Sequence, residues 1–168
     1  NSGLISIAGG KLTGYRKMAD RVINAVLKQV SPDLKRKLKR SRTKKIFLVT
    51  PLIKTDKEVQ LYQERLKNRL ESYGNTDFYY AAYLCNTYGR NSDLILDHSS
   101  TFKKGTVEEK LIRSELWYCL NYEMINSLAD FFVRRTARLY FNISSISKHL
   151  EVVLKDCRTF LSWDDKRV

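Results

Sequence analysis

The run from Leu4 to Val30 constrains the fold more than any other stretch. Leu4-Ile5-Ser6-Ile7-Ala8 is apolar and β-branched, Gly9-Gly10 interrupts it, and Lys11-Leu12-Thr13 leads into a long periodic segment. From Tyr15 the apolar residues fall at Tyr15, Met18, Ala19, Val22, Ile23, Val26, Leu27 and Val30, an unbroken helical stripe. The pattern predicts a short strand, a tight turn and a helix from about Gly14 to Val30. Thr13 is a candidate N-cap, because its hydroxyl can accept from an orphan N–H of the first turn. The helix should stop before Ser31-Pro32, since proline disfavours a helical residue ahead of it.

A strand–turn–helix junction of this kind is also a candidate site. Glycines at 9 and 10 let a ligand approach the backbone closely. The free N–H groups and dipole of the following helix favour negative charge, and Lys11 adds a full positive charge there. Spacing alone leaves two readings open: an anion or polarised-oxygen site, or a tight βα corner with a solvated lysine.

The remainder reads as helices. Thr55-Asp56-Lys57-Glu58 is a capping box opening a helix with Val59, Tyr62, Leu66, Leu70 and Tyr73 on one face, ending near Gly74. Thr76 is a cap for a helix from Asp77 to Tyr88, and Ser92 a cap for a short helix through Leu96. A polar loop should run from His98 to Gly105. The next helix covers Glu115 to Ile125, starting either at a Thr106/Glu109 capping box or at Ser114. Helices over Asp130–Tyr140 and Ser145–Cys157 complete the chain. The expected fold is mainly α, a bundle of about five or six helices with a strand–turn–helix at its N-terminus.

Net charge is +13, from 31 basic and 18 acidic side chains. Ser31 to Lys45 holds eight of the basic residues, among them Lys35, Lys37, Lys39 and Lys45, against Asp33 alone, a net +7. Such a run repels itself. It is either a solvated linker or a contact for an anionic surface, with membrane lipid ahead of nucleic acid because aromatics are not interleaved and no helix-turn-helix is evident. Ile46 to Ile53, interrupted by Pro51, reads as an extended segment.

Cys85, Cys119 and Cys157 are an odd, widely spaced set, expected to be reduced core residues of a cytosolic protein. No C-x-x-C is present, His98 and His149 are far apart in sequence, and no metal site is expected. His149 is expected on the polar face of its helix. No apolar run reaches the length of a bilayer span.

Glu115, Glu123, Asp130, Arg134 and Arg135 are charged residues within otherwise apolar helices. If Phe131, Phe132 and Val133 are packed, one of Arg134 and Arg135 should point inward. A buried guanidinium needs carboxylate partners, so the five are expected to form a structural ion-pair network.

Gly9-Gly10-Lys11-Leu12-Thr13 with Tyr15-Arg16-Lys17-Met18-Ala19 resembles the last flavin-contacting segment of FAD-dependent glycerol-3-phosphate dehydrogenases and the related glycerophosphate oxidases. Ser114-Glu115-Leu116-Trp117-Tyr118, Glu123-Met124 and Asp130-Phe131-Phe132-Val133-Arg134-Arg135-Thr136 are similar to the helical C-terminal domain of the same enzymes. Tyr88-Gly89-Arg90-Asn91 is a weaker match, and Ser31 to Leu70 departs from the pattern by being unusually basic.

The resemblance implies that residues 1–30 are an edge piece of an FAD-binding domain, 31–54 a basic linker and extended segment, and 55–168 a helical C-terminal domain. It implies flavin contact through Gly9, Gly10, Lys11, Leu12 and Thr13, with Lys11 as an electrostatic catalytic residue between flavin and substrate. The family oxidises glycerol 3-phosphate to dihydroxyacetone phosphate, with a hydride passing to FAD and electrons onward to quinone, or to oxygen in the oxidases. No G-x-G-x-x-G follows any strand here. The chain begins where the family's flavin domain ends and reaches Ser162-Trp163-Asp164-Asp165, where a terminal helix would start. It therefore reads as a fragment, silent by itself, whose partner is the rest of the flavin and substrate domain. The implied location is cytoplasmic, with peripheral contact at the inner face of the cell membrane as an option through Lys35–Lys45.

Overall fold

The computed structural model describes residues 2–39, 41–47, 52–74 and 77–164. The chain forms two compact units, residues 1–46 and residues 47–168.

In the first unit the helix predicted from the apolar stripe is α1, Tyr15–Gln29. Residues Leu4–Ala8 form no strand, and no strand is present among the described residues. A strand needs a neighbour to receive its ladder hydrogen bonds, and this unit offers none. Thr13 does not cap α1. It lies within a 3₁₀ turn, Leu12–Gly14, and Gly14 holds the cap position without a side-chain hydrogen bond. The basic stretch is more ordered than a plain linker. Ser31 accepts from the Leu34 N–H and starts α2, Pro32–Lys37, with proline at its first turn, where its missing N–H costs nothing. No residue of α1 or α2 is buried.

The second unit holds the core. The predicted capping box is present: Thr55 Oγ1 accepts from Glu58 N–H at 3.2 Å, and the Glu58 carboxylate accepts from Thr55 N–H at 3.1 Å. It opens α3, Asp56–Glu71, which buries Tyr62, Leu66 and Leu70. Next come α4, Phe78–Tyr88, and α5, Ser92–Ser99. Asp77 rather than the helix interior is the start of α4, its side chain accepting from Tyr79 N–H; the predicted cap Thr76 lies outside the described residues. Gly89 ends α4 at φ +53°, a region that favours glycine. Ser92 is not a cap. It is buried inside α5, and its hydroxyl donates to the Leu84 and Gly89 carbonyls.

Helix α6, Val107–Tyr122, is capped by Thr106, so Ser114 is an interior residue that donates back to the Lys110 carbonyl. It packs on α5 and on α8, Ile143–Leu161. The predicted continuous helix over Asp130–Tyr140 is broken. Asp130–Arg135 is a π-helical turn closed by Thr136 N–H donating to the Phe131 carbonyl at 2.9 Å. Ala137 then takes φ +52° and a four-residue helix follows, α7, Arg138–Phe141. The wider turn accompanies burial of both Phe131 and Phe132, and the break at Ala137 swings Arg138 inward. Eight α-helices stand among the described residues, six of them, α3 to α8, in the second unit. Most of the segment between Ile46 and Ile53 lies outside the described residues. No described helix is long and apolar enough to cross a membrane.

Candidate functional site

The first candidate is the glycine turn before α1. Gly9 has φ +75° and a Cβ placed there would meet nothing within 4 Å, so the backbone is open to a ligand on that side. Gly10 has φ +113°, and a Cβ would lie 2.5 Å from the Met18 sulfur. The positive φ favours glycine at 10, and the end of the Met18 side chain folds over the turn from α1. Lys11 follows, with extended backbone, and its carbonyl accepts from Gly14 N–H at 2.8 Å. Leu12 is 89% exposed. Gly9, Gly10, Lys11, Leu12 and Thr13 are all exposed, and the first four line a shallow open depression with Tyr15 and Met18. The arrangement presents backbone N–H groups at a helix start beside one ammonium, suited to polarised oxygen or negative charge.

The second candidate is the set of charges in the helical unit. Glu115 on α6 is 1% exposed. One carboxylate oxygen accepts from Tyr83 OH at 2.6 Å and Tyr88 OH at 3.0 Å, and the other from Arg138. Arg138 also donates to Ser145 Oγ at 2.9 Å and lies over the Tyr83 ring. Burial first, and the neighbouring Glu115 charge second, push both phenols well above their ordinary range. They therefore stay protonated and donate to the carboxylate. Burial opposes the Arg138 charge, but Glu115 and its hydrogen bond outweigh it and hold the guanidinium ionised.

The five predicted charges do not form one network. Arg134 and Arg135 are both exposed, so neither is the inward guanidinium; Arg138 is. Arg134 pairs with Asp130 at 2.6 Å, four residues back on the surface. Arg135 pairs with Glu123 at 3.4 Å and donates to its carbonyl at 2.8 Å. Glu115 has no contact with either. Asn142 caps α8, and the left-handed Ala137 ahead of α7 places Arg138 beside Ser145.

His149 is also placed differently from the expectation. It is 5% exposed, with Nε2 3.4 Å from Glu108, which also pairs with Lys148 at 2.6 Å. Cys85, Cys119 and Cys157 are free and buried. No group of histidine, cysteine and carboxylate side chains suited to a metal occurs among the described residues.

Comparison with known proteins adds four findings. Residues 41–168 match the family described as the C-terminal domain of alpha-glycerophosphate oxidase. Over 99% of its length the chain is 30% identical to aerobic glycerol-3-phosphate dehydrogenase of Bacillus subtilis, covering 30% of that protein. Its identity to the same enzyme of Staphylococcus epidermidis is also 30%, over 98% of this chain and 29% of that one. A crystal structure of glycerol-3-phosphate dehydrogenase from Bacillus halodurans complexed with FAD superposes with a TM-score of 0.76 at 31% identity, covering 95% of this chain and 32% of that one. The chain thus spans a little under a third of the length of the relatives it matches.

Proposed function

The chain belongs to the family of C-terminal domains of alpha-glycerophosphate oxidase, and on that premise we propose that it is the C-terminal part of an FAD-dependent glycerol-3-phosphate dehydrogenase. The observation that carries the reading is the state of α1. Its apolar stripe has no buried residue, with Tyr15 61% and Ile23 56% exposed. Amphipathic helices owe most of their stability to a partner surface, and the partner supplied by this reading is the rest of the flavin domain.

The glycine turn fits a flavin. Gly9 is open to close approach, and the N–H groups at the helix start are donors for the carbonyl oxygens of the flavin pyrimidine edge. The residues that would hold it are Gly9, Gly10, Lys11, Leu12 and Thr13. Bound FAD supplies the two-electron acceptor for the secondary alcohol of glycerol 3-phosphate, giving dihydroxyacetone phosphate, with electrons passing on to a quinone. Within that chemistry Lys11 stabilises negative charge as it develops beside the turn, an electrostatic role placed in advance of the reaction. Within the helical unit the Glu115–Arg138 pair fixes α6 against α7. On the same reading the location is cytoplasmic, with the Lys35–Lys45 run touching the inner face of the membrane.

The test is made on the intact gene product. Purified enzyme should carry FAD and reduce an artificial electron acceptor only when glycerol 3-phosphate is present. A protein with full flavin content that ignores glycerol 3-phosphate would overturn the substrate assignment, and one with no flavin would overturn the family reading of the turn.

A further inference from the structure

The chain holds ten tyrosines, and the helical unit strings five of them together with Trp117. Tyr79, near the start of α4 and 53% exposed, stacks on Tyr83 with ring centroids 6.1 Å apart. Tyr83 and Tyr88 both donate to one oxygen of Glu115, at 2.6 and 3.0 Å. Tyr88 meets the edge of Tyr118 at 5.4 Å, Tyr118 stacks on Tyr122 at 5.1 Å, and Tyr122 meets Trp117 at 5.8 Å. Tyr88 and Tyr118 are buried, whereas Tyr122 is 56% exposed. The series therefore enters the core from one exposed ring and leaves it at another.

Core packing explains the rings but not the hydroxyls. Phenylalanine fills such space with no polar atom to satisfy, as Phe131 and Phe132 do here. Tyrosine and tryptophan differ from it in giving up one electron readily. An oxidised phenol is a strong acid, so the step needs a proton acceptor at hand. Glu115 is already hydrogen-bonded to two of these phenols. Rings in contact exchange an electron easily, and the one break in contact, between Tyr83 and Tyr88, is bridged by the Glu115 oxygen.

We propose that Tyr79, Tyr83, Tyr88, Tyr118, Tyr122 and Trp117 form a relay that carries a one-electron oxidising equivalent through the core of the helical unit and discharges it at the exposed Tyr122–Trp117 end. The oxidant is a hydroxyl radical derived from peroxide, which takes an electron and a proton and leaves as water. Each ring so oxidised is restored by an electron from the next. Tyr83 and Tyr88 lend their protons to Glu115 and recover them, and Tyr79 and Tyr122 exchange theirs with water. Tyr118 passes its electron with its proton in place. At the far end a soluble thiol supplies an electron and a proton and becomes a thiyl radical. The net change is thiol plus hydroxyl radical to thiyl radical plus water. The proposal rests on the flavin reading only for the origin of the oxidant, since reduced flavin that meets oxygen yields peroxide.

The experiment supplies its own oxidant to the full 168-residue chain. A ruthenium polypyridyl photo-oxidant is attached at Asn86→Cys, an exposed position on α4 three residues from Tyr83; the native thiols are buried. After flash oxidation a nitroso spin trap captures the radicals, and peptide mass analysis locates the adducts. Adducts are expected at Tyr122 and Trp117, falling severalfold in both Tyr88→Phe and Tyr118→Phe. They should stay at the parent level in Tyr140→Phe, an exposed ring off the path. Each break deletes one hydroxyl and keeps the ring, and circular dichroism checks the fold of each variant, so either break alone decides the matter. Adducts confined to Tyr79 and Tyr83 would overturn the relay and leave the rings as packing. So would adducts at Tyr122 and Trp117 that a folded break variant leaves unchanged, or an equal loss in Tyr140→Phe. Because no flavin is present, none of these outcomes bears on the flavin reading, which the intact gene product tests separately.

Discussion

Arg138, not Arg134 or Arg135, is the arginine that Glu115 holds in the core. The pair joins α6 to α7 across 23 residues of sequence, with side-chain exposures of 10% and 1%. Desolvating two charges is costly, and the attraction offsets it only when the remaining polar atoms are satisfied. Tyr83, Tyr88 and Ser145 do most of that here.

Removing one partner should therefore be severe. Arg138→Ala leaves a buried carboxylate without its cation, at a cost of about 3–5 kcal/mol. Arg134→Ala should melt as the parent does, because its pair is on the surface and screened by solvent. Urea melts of the two variants check this. Equal stabilities would mean that Glu115 is neutral or hydrated.

Stability should fall on mild acidification, and His98 is one source. Its ring stacks on Trp117 at 4.3 Å and its Nδ1 meets Ser114 Oγ at 3.1 Å. Burial, with Arg113 adding and Asp156 opposing, lowers its pKa below the ordinary 6.5. The unfolded chain then takes up the proton more readily than the folded one. The contribution is complete above 6.5 and is lost as pH falls through the depressed folded value. His98→Gln should flatten the melting temperature between about pH 5 and 7. Glu108 acts in a lower window. Burial opposes its ionisation, but Lys148 and His149 outweigh that and hold its pKa below 4.5, so its share is lost only in stronger acid. A parent profile that is level across both windows contradicts the assignment.

The cysteines should be inert in the folded protein. Burial pushes Cys157 up to about 11 and raises Cys85 and Cys119 as well, with Glu123 beside Cys119 adding to its rise. Thiolate is the reactive form. An aromatic disulfide reagent at neutral pH should label the native chain slowly and all three thiols rapidly in urea. Fast native labelling would place a thiol in an open position.

How much of this was legible depends on whether local chemistry decides the structure. The Thr55–Glu58 box was, because its four residues satisfy one another whatever surrounds them. The stripe of α1 was legible too, since periodicity survives without a partner. The Leu4–Ala8 strand was not, because pairing is a property of a second segment and apolar composition cannot supply one. Arg138 was hidden by the π-helical turn and the left-handed Ala137, which shift every later side chain relative to a regular helix. The glycine turn was legible as a conformation, and Gly10 adds a contact with Met18 that no spacing rule predicts.

The central claim is that the Gly9–Thr13 turn faces the reacting centre of a glycerol-3-phosphate dehydrogenase, and Lys11→Ala in the intact enzyme tests it most directly. Lys11 is exposed after two glycines, so little packing depends on its stem. Steady-state oxidation of glycerol 3-phosphate with an artificial acceptor should fall by about 10²–10³ in kcat, with the melting temperature and FAD content unchanged. Lys11→Arg should restore only part, because a planar guanidinium does not replace a compact ammonium. Near-normal turnover of Lys11→Ala at full flavin occupancy would contradict the account and leave Lys11 a solvated corner residue.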